Sequence, residues 1–245
     1  MPKHHWLVTG ASSGIGRAMV VKAASQGDSV YALDVDTNSG QALAAETGAT
    51  FIHCDVSKSE AWAEVIQTMI EHGLPDRIHL NAGIQIAPPN APLSDYQFAA
   101  MTHERYRRLM GVNVDGVVFG LEALLPHLNE GAAIVVTASL AGLVPYAIDP
   151  LYAMSKHAVV GLVRSLGPTL AQRNIRINAL CPGGIDTAII PEEQRVENAI
   201  FMTPENIADE VAYLMTVEET GKAWAKVSES KPVFIMRAPG DKGER

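Results

Sequence analysis

Val8-Thr9-Gly10-Ala11-Ser12-Ser13-Gly14-Ile15-Gly16 stands between a short apolar run, residues 6–8, and a helical pattern over 18–24 that stops at Gly27. Strand, glycine loop and helix in that order form a cradle for a phosphate, because loop N–H groups and the positive end of the helix dipole face the anion. Gly10 permits the tight turn, Gly14 lets the backbone approach a pyrophosphate, and Gly16 allows the helix to pack close to the sheet. Ser12, Ser13 and Ile15 complete the loop and would meet the same ligand. The spacing is G-x-x-x-G-x-G rather than G-x-G-x-x-G. A plain glycine turn is the bland alternative, and the agreement of strand, loop and helix signals argues against it.

The next apolar run, 29–33, ends at Asp34. An acid roughly 20 residues after such glycines can accept hydrogen bonds from both ribose hydroxyls of an adenosine. A 2′-phosphate would meet like charge there, and neither Ser13 nor Val35 supplies a basic side chain to receive it. The cofactor reading is therefore NAD rather than NADP. The alternative is that Asp34 only opens the Asp-Val-Asp-Thr-Asn turn.

Further out, strands are expected at 6–9, 29–33, 50–54, 79–80, 133–138, 176–180 and 223–227. Helices are expected at 15–26, 40–46, 59–72, 103–127, 152–172 and 204–216. This alternation predicts one α/β domain over residues 1–237, a Rossmann-type doubly wound parallel sheet of about seven strands with helices on both faces. Two segments break the pattern: the proline-rich loop 84–92, and residues 186–201, read as a substrate loop. Both follow the carboxyl ends of strands, where ligands bind in open α/β sheets. Residues 238–245 are expected to form a flexible tail.

Tyr152-Ala153-Met154-Ser155-Lys156 puts a phenol and an ammonium four residues apart, on one helix face. A cation about 4 Å from the phenol, at an effective dielectric of about 20, is worth roughly 4 kcal/mol, or up to about 3 pK units. That would bring a tyrosine toward working pH, where acid–base catalysis is efficient. An ordinary amphipathic helix would carry the same pair, so its weight comes from the glycine loop upstream.

These pieces together resemble the short-chain dehydrogenase/reductase family, in its compact subclass. The markers run in order through Thr9 to Gly16, Asp34, Asp55-Val56, Asn81-Ala82-Gly83, Asn113, Ser139, Tyr152 with Lys156, and Pro182-Gly183 leading to Thr187. The resemblance implies that Asp55 and Val56 hold the adenine, and that Asn81, Ala82 and Gly83 line its ribose. It implies that Ser139 holds the substrate oxygen, Tyr152 exchanges its proton, Lys156 binds the nicotinamide ribose, and Asn113 anchors a water in a proton relay. Pro182, Gly183, Ile185 and Thr187 would border the nicotinamide. The activity implied is NAD-dependent interconversion of a secondary alcohol and its ketone. Other readings are an NADH-linked reductase of an activated ketone or acyl group, and a non-catalytic dinucleotide-sensing module. The C-terminal part departs from the family's usual Asp-Gly-Gly ending and looks like that of 15-hydroxyprostaglandin dehydrogenases.

The substrate is expected to be a small apolar or aromatic alcohol, because the residues expected around the reacting carbon are nearly all apolar: Ile84, Ile86, Leu143, Val144, Tyr146, Ile189 and Ile190. Asp149 is a further candidate to face it, with a helix-start acid as the alternative. Composition excludes other classes. With 19 basic and 27 acidic residues, a net charge of −8 and no basic stripe, the chain does not suit nucleic acid or an anionic membrane. No apolar run of about 18 residues suggests a membrane span. His4-His5 lacks partners at ligand spacing, so no metal is expected. The run from His103 to Arg108 reads as a solvated first turn rather than an anion site. The glycine motif begins at Thr9, which leaves no room for a signal peptide, and Cys54 and Cys181 read as free thiols, so a cytoplasmic enzyme is expected. Apolar residues on two long helices (Val117, Val118, Leu121, Leu124 and Leu125; Val159, Val160, Leu162, Val163 and Leu166) predict a homodimer or homotetramer.

Overall fold

The computed structural model describes residues 4–195 and 200–238. Residues 196–199 of the expected substrate loop and 239–245 of the expected tail lie outside the described residues. Among the described residues, eight strands form one sheet: β1 (His5–Thr9), β2 (Ser29–Asp34), β3 (Thr50–His53), β4 (Arg77–Leu80), β5 (Ala133–Thr137), β6 (Arg176–Pro182), β7 (Ala223–Lys226) and β8 (Phe234–Met236). Their order is β3-β2-β1-β4-β5-β6-β7-β8. The sequence reading of about seven parallel strands missed β8, which is short and pairs antiparallel to β7. All other pairings are parallel. The order reverses between β1 and β4, and the glycine loop leaves β1 at that switch point.

Among the described residues, seven α-helices cover the sheet: α1 (Gly14–Ser25), α2 (Thr37–Thr47), α3 (Trp62–His72), α4 (His103–Met110), α5 (Gly116–Leu124), α6 (Pro150–Ala171) and α7 (Pro204–Leu214). The strands are buried on both faces, which is why they read as near-continuous apolar runs. Their period of two still divides the core. Leu7, Leu33, Ile78 and Val136 pack against Trp62, Leu121 and Val159 on one side. Trp6, Val8, Ala32 and Val135 pack against Met19, Ile207 and Val211 on the other.

One π-helical turn, Gly111–Asp115, joins α4 to α5. The stretch His103–His127 is long and apolar enough to cross a membrane by length and composition. Leu109, Val117, Leu121 and Leu124 along it are at most 5% exposed and pack inside the subunit. At the sheet's far edge Lys226 is 2% exposed. Its Nζ meets Glu210 Oε1 at 2.5 Å and the carbonyls of Glu229 and Lys231 at 3.4 and 2.7 Å, which pins the segment leading into β8.

Candidate active site

The carboxyl ends of the strands open on a cavity of about 590 Å³. The glycine loop enters it from β1. Gly10 has φ +63°, where a side chain would be strained, and a Cβ there would lie 2.9 Å from Ala82 Cα. A Cβ on Gly16 would collide with the Gly10 carbonyl. Asn81 locks this loop to β4. Its Nδ2 donates to the Thr9 carbonyl at 3.1 Å, while the N–H groups of Asn81 and Ala82 donate to Thr9 Oγ1 at 2.8 and 3.0 Å. Thr137 Oγ1 in turn donates to Asn81 Oδ1 at 3.1 Å. His79, fully buried and held neutral with its pKa brought down to about 3 by burial, lies 2.8 Å from that hydroxyl through Nε2.

Of the expected cofactor residues, Gly10, Ser13, Gly14, Ile15, Asn81, Ala82, Gly83, Pro182, Gly183, Ile185 and Thr187 line the cavity. Ser12, Gly16, Asp34, Asp55 and Val56 are not in its wall. Ser12 and Asp34 are joined to each other: Asp34 Oδ2 accepts from Ser12 N at 2.9 Å, and Oδ1 from Asp36 N at 3.0 Å. Asp55 Oδ1 accepts from Ser57 N and Oγ at 3.0 and 2.7 Å, so it also closes a local turn. Val56 is buried against Gly116.

Ser139, Tyr152 and Lys156 converge on the same cavity. Ser139 ends the loop after β5, Tyr152 and Lys156 stand on the first turns of α6, and a hydrogen bond from the Ser139 hydroxyl draws the phenol's pKa down. The larger effect runs the other way, since burial pushes Tyr152 above its ordinary value. The sequence expectation of a phenol lowered by its lysine is thus corrected in part. Lys156 Nζ donates to the Thr137 carbonyl at 2.8 Å and sits 5.6 Å from the Tyr152 ring centroid, so its direct bond goes to β5 rather than to the phenol. Burial brings Lys156 down to about 8.

Asn113 sits in the π turn. Its Nδ2 donates to the Ile84 carbonyl and to Ser155 Oγ at 2.9 and 3.0 Å, and its Oδ1 accepts from Ile84 N at 2.8 Å. Both amide hydrogens are committed, so within the side chain only the second lone pair of Oδ1 is available to a proton path. A Cβ on Gly83 would lie 3.2 Å from Lys156 Nζ and 3.5 Å from Asn113 Oδ1, which places both groups around that glycine.

Three expected substrate residues are corrected. Asp149 is fully buried and caps α6, with Oδ1 accepting from Tyr152 N at 2.8 Å and Oδ2 from Ile86 N at 2.9 Å. It faces backbone, and burial raises its pKa. Leu143 turns away from the cavity and packs on the main core, while its neighbour Val144 lines the cavity. Ile86 packs with Tyr96, Leu109 and Leu151. Ile84, Tyr146, Ile189 and Ile190 do line the wall. Gln85, Arg108 and Gln194 line it too, and sequence reasoning assigns none of the three to the site. A polar side chain between Ile84 and Ile86, just past a strand end, was the available signal for Gln85. Arg108 had been assigned to a solvated turn, and only the direction of α4 brings it to the cavity.

Comparison with known proteins agrees with this geometry. The family described as short chain dehydrogenase matches residues 4–198. The chain is 35% identical over 204 residues to a 2,5-dichloro-2,5-cyclohexadiene-1,4-diol dehydrogenase of Sphingobium indicum, covering 81% of this chain and 78% of that protein. It is 32% identical over 207 residues to human 15-hydroxyprostaglandin dehydrogenase [NAD(+)], covering 78% and 72%. Among solved structures, a dehydrogenase/reductase from Sinorhizobium meliloti 1021 superposes with a TM-score of 0.82 at 27% identity, covering 94% of this chain and 96% of that one.

Proposed function

The chain belongs to the short-chain dehydrogenase family and is an oxidoreductase of CH–OH groups, and from that premise we propose that it interconverts a small apolar or aromatic secondary alcohol and its ketone with NAD. The observation that carries this reading is the meeting of Ser139, Tyr152 and Lys156 with the glycine loop in one cavity. A dinucleotide fits the residues present. The N-terminus of α1 has no side-chain cap, and Ser12 Oγ is buried without a partner among the described residues. A non-catalytic dinucleotide sensor would have no use for Ser139 and Tyr152 beside that loop.

A bound nicotinamide supplies the acceptor for the hydride that leaves the carbinol carbon. Ser139 holds the alcohol oxygen, and Tyr152 takes the hydroxyl proton onto Oη. Burial works against the phenolate, and the Ser139 hydrogen bond is the group that offsets it. Asn113 braces Ile84 and Ser155, keeping the cavity floor and the first turns of α6 together. Asp34 takes the adenosine ribose and disfavours a 2′-phosphate. Asp55 and Val56 border the adenine, and Pro182, Gly183, Ile185 and Thr187 border the nicotinamide. A cytoplasmic location accords with Cys54 and Cys181, both free and buried.

The test is Tyr152→Phe, which keeps the ring and removes the exchangeable proton. Most turnover should be lost while NADH binding, followed by fluorescence, stays near that of the unmodified protein. Near-normal activity of this variant on every alcohol the unmodified protein accepts would overturn the assignment.

A further inference from the structure

His79 is fully buried on β4, at a position where an aliphatic side chain would suit the sheet. Its register partners on the two neighbouring strands are Val8 and Val135, and both pack in the apolar layer with Met19 of α1 and Val211 of α7. An imidazole in that layer is costly, the more so because its Nδ1 has no hydrogen-bond partner among the described residues. Its Nε2, however, begins a chain of hydrogen bonds whose polarity is fixed from the far end. Asn81 Nδ2 faces two carbonyl oxygens, those of Thr9 at 3.1 Å and Gly10 at 3.4 Å, and only the nitrogen of an amide can do so. Asn81 Oδ1 is therefore an acceptor, and Thr137 Oγ1 donates its single hydrogen to it at 3.1 Å. Thr137 then has only lone pairs to offer His79, 2.8 Å away, so His79 meets it as the Nε2–H tautomer.

The far end of this chain is the glycine loop. A Cβ on Gly10 or Gly16 would lie 3.2 or 2.9 Å from Asn81 Nδ2, so the amide fills the notch that the two glycines leave. Turned over, the same amide would set Oδ1 against two carbonyl oxygens and push the loop open. Thr137 also reaches the other side of the cavity, since its carbonyl accepts from Lys156 Nζ at 2.8 Å. We infer that His79 is a positioning residue for the dinucleotide. By donating from Nε2 it makes Thr137 donate to Asn81, keeps the Asn81 amide turned toward Thr9 and Gly10, and so holds the glycine loop in its binding shape. An Nδ1–H imidazole would reverse the chain, drawing the Thr137 hydrogen to Nε2 and leaving Asn81 Oδ1 unmet. With no imidazole the hydroxyl turns freely and either polarity is open. The inference rests on the reading of the glycine loop as the dinucleotide site.

Nitrogen NMR of the full chain carrying isotope-labelled histidine should show His79 as the neutral Nε2–H tautomer, and an Nδ1–H tautomer would overturn the inference. Fluorescence titration with NADH then follows the loop, beside steady-state kinetics with NAD on a secondary alcohol that the unmodified protein turns over. His79→Leu should weaken NADH binding and raise KM for NAD by about fivefold to tenfold, with kcat within about twofold. His79→Gln keeps an N–H donor near the place of Nε2 and should bind NADH within about twofold of the unmodified protein. Thr137→Val removes the hydroxyl and should weaken binding at least as much as His79→Leu. Adding His79→Leu to it should change little further, because both residues act in one chain. An unchanged KM for NAD in His79→Leu, a glutamine variant no better than the leucine one, or fully additive losses would leave His79 a packing residue and overturn the inference. If His79→Leu does not fold, Thr137→Val against Thr137→Ser supplies the comparison, since serine keeps the hydroxyl. NADH binding needs no alcohol, so the two readings fail separately. His79-dependent NADH binding without turnover of any alcohol would sink the dehydrogenase assignment alone. Turnover with NADH binding indifferent to His79 would sink the His79 assignment alone.

Discussion

At the scale of single residues, Lys156 joins a structural cost to a chemical use. Its pKa falls from 10.5 in the open chain to about 8 in the fold, because burial disfavours the ammonium. Between those two values the unfolded chain binds more protons than the native one, so this group's contribution to stability rises with pH across that window. Below about 8 the charged head is carried into the interior at full cost. Lys156→Met should therefore be more stable than the unmodified protein at pH 7, by up to roughly 3 kcal/mol. That advantage should shrink as pH rises from about 8 to 10.5, as denaturant midpoints taken at several pH values would reveal. A constant difference would mean the ammonium is not desolvated. Asp34 has a cleaner test. NAD should exceed NADP by at least about tenfold in kcat/KM, about 1.4 kcal/mol, and Asp34→Ala should narrow the gap. Equal efficiencies in the unmodified protein would refute the ribose assignment.

Among the elements, α6 depends most visibly on one side chain. Asp149 caps it through Tyr152 N and holds the loop after β4 through Ile86 N. Asp149→Ala should cost roughly 2–3 kcal/mol, by loss of the cap and by leaving a buried N–H unmet. Thermal melting should fall by several degrees, and turnover should fall too, because Tyr152 and the cavity wall share this anchor. An unchanged melting curve would show that water replaces both bonds. Asp149 also marks where sequence reading stopped. The alternation of strands and helices, the glycine loop and the Tyr152–Lys156 pair are local patterns, and each was legible within a few residues. Whether Asp149 faces substrate or backbone depends on Ile86, 63 residues away, and no local pattern carries that. Leu143 is similar: it follows the short 3₁₀ turn Leu140–Gly142, whose direction decides that Val144 and not Leu143 meets the cavity. The segment of β8 reads in the sequence only as an apolar piece, 232–236, because three residues carry too little pattern to show that it pairs with β7.

For the whole molecule, the case for assembly narrows once the helices are placed. Val117, Leu121, Leu124, Val159, Val160 and Val163 are buried inside one subunit and give no reason for a partner. What remains outward is Val118 at 40% and Met154 at 41% exposure, with open space above Gly161. Those residues lie on α5 and α6, and a homodimer or homotetramer joined there would brace the helix that bears Tyr152. Sedimentation equilibrium should find a species of at least twice 26.2 kDa at micromolar concentration. A fully active monomer would rule that out. At the opposite edge, the Lys226 anchor has a consequence for how the chain tolerates shortening. Ending the protein after Val227 would strip two carbonyl acceptors from a buried cation and leave β7 as an open edge beside Trp224. An unpaired strand of that kind invites pairing with another chain. A protein shortened there should betray the loss of β8 and of the Lys226 acceptors in its solubility before its catalysis.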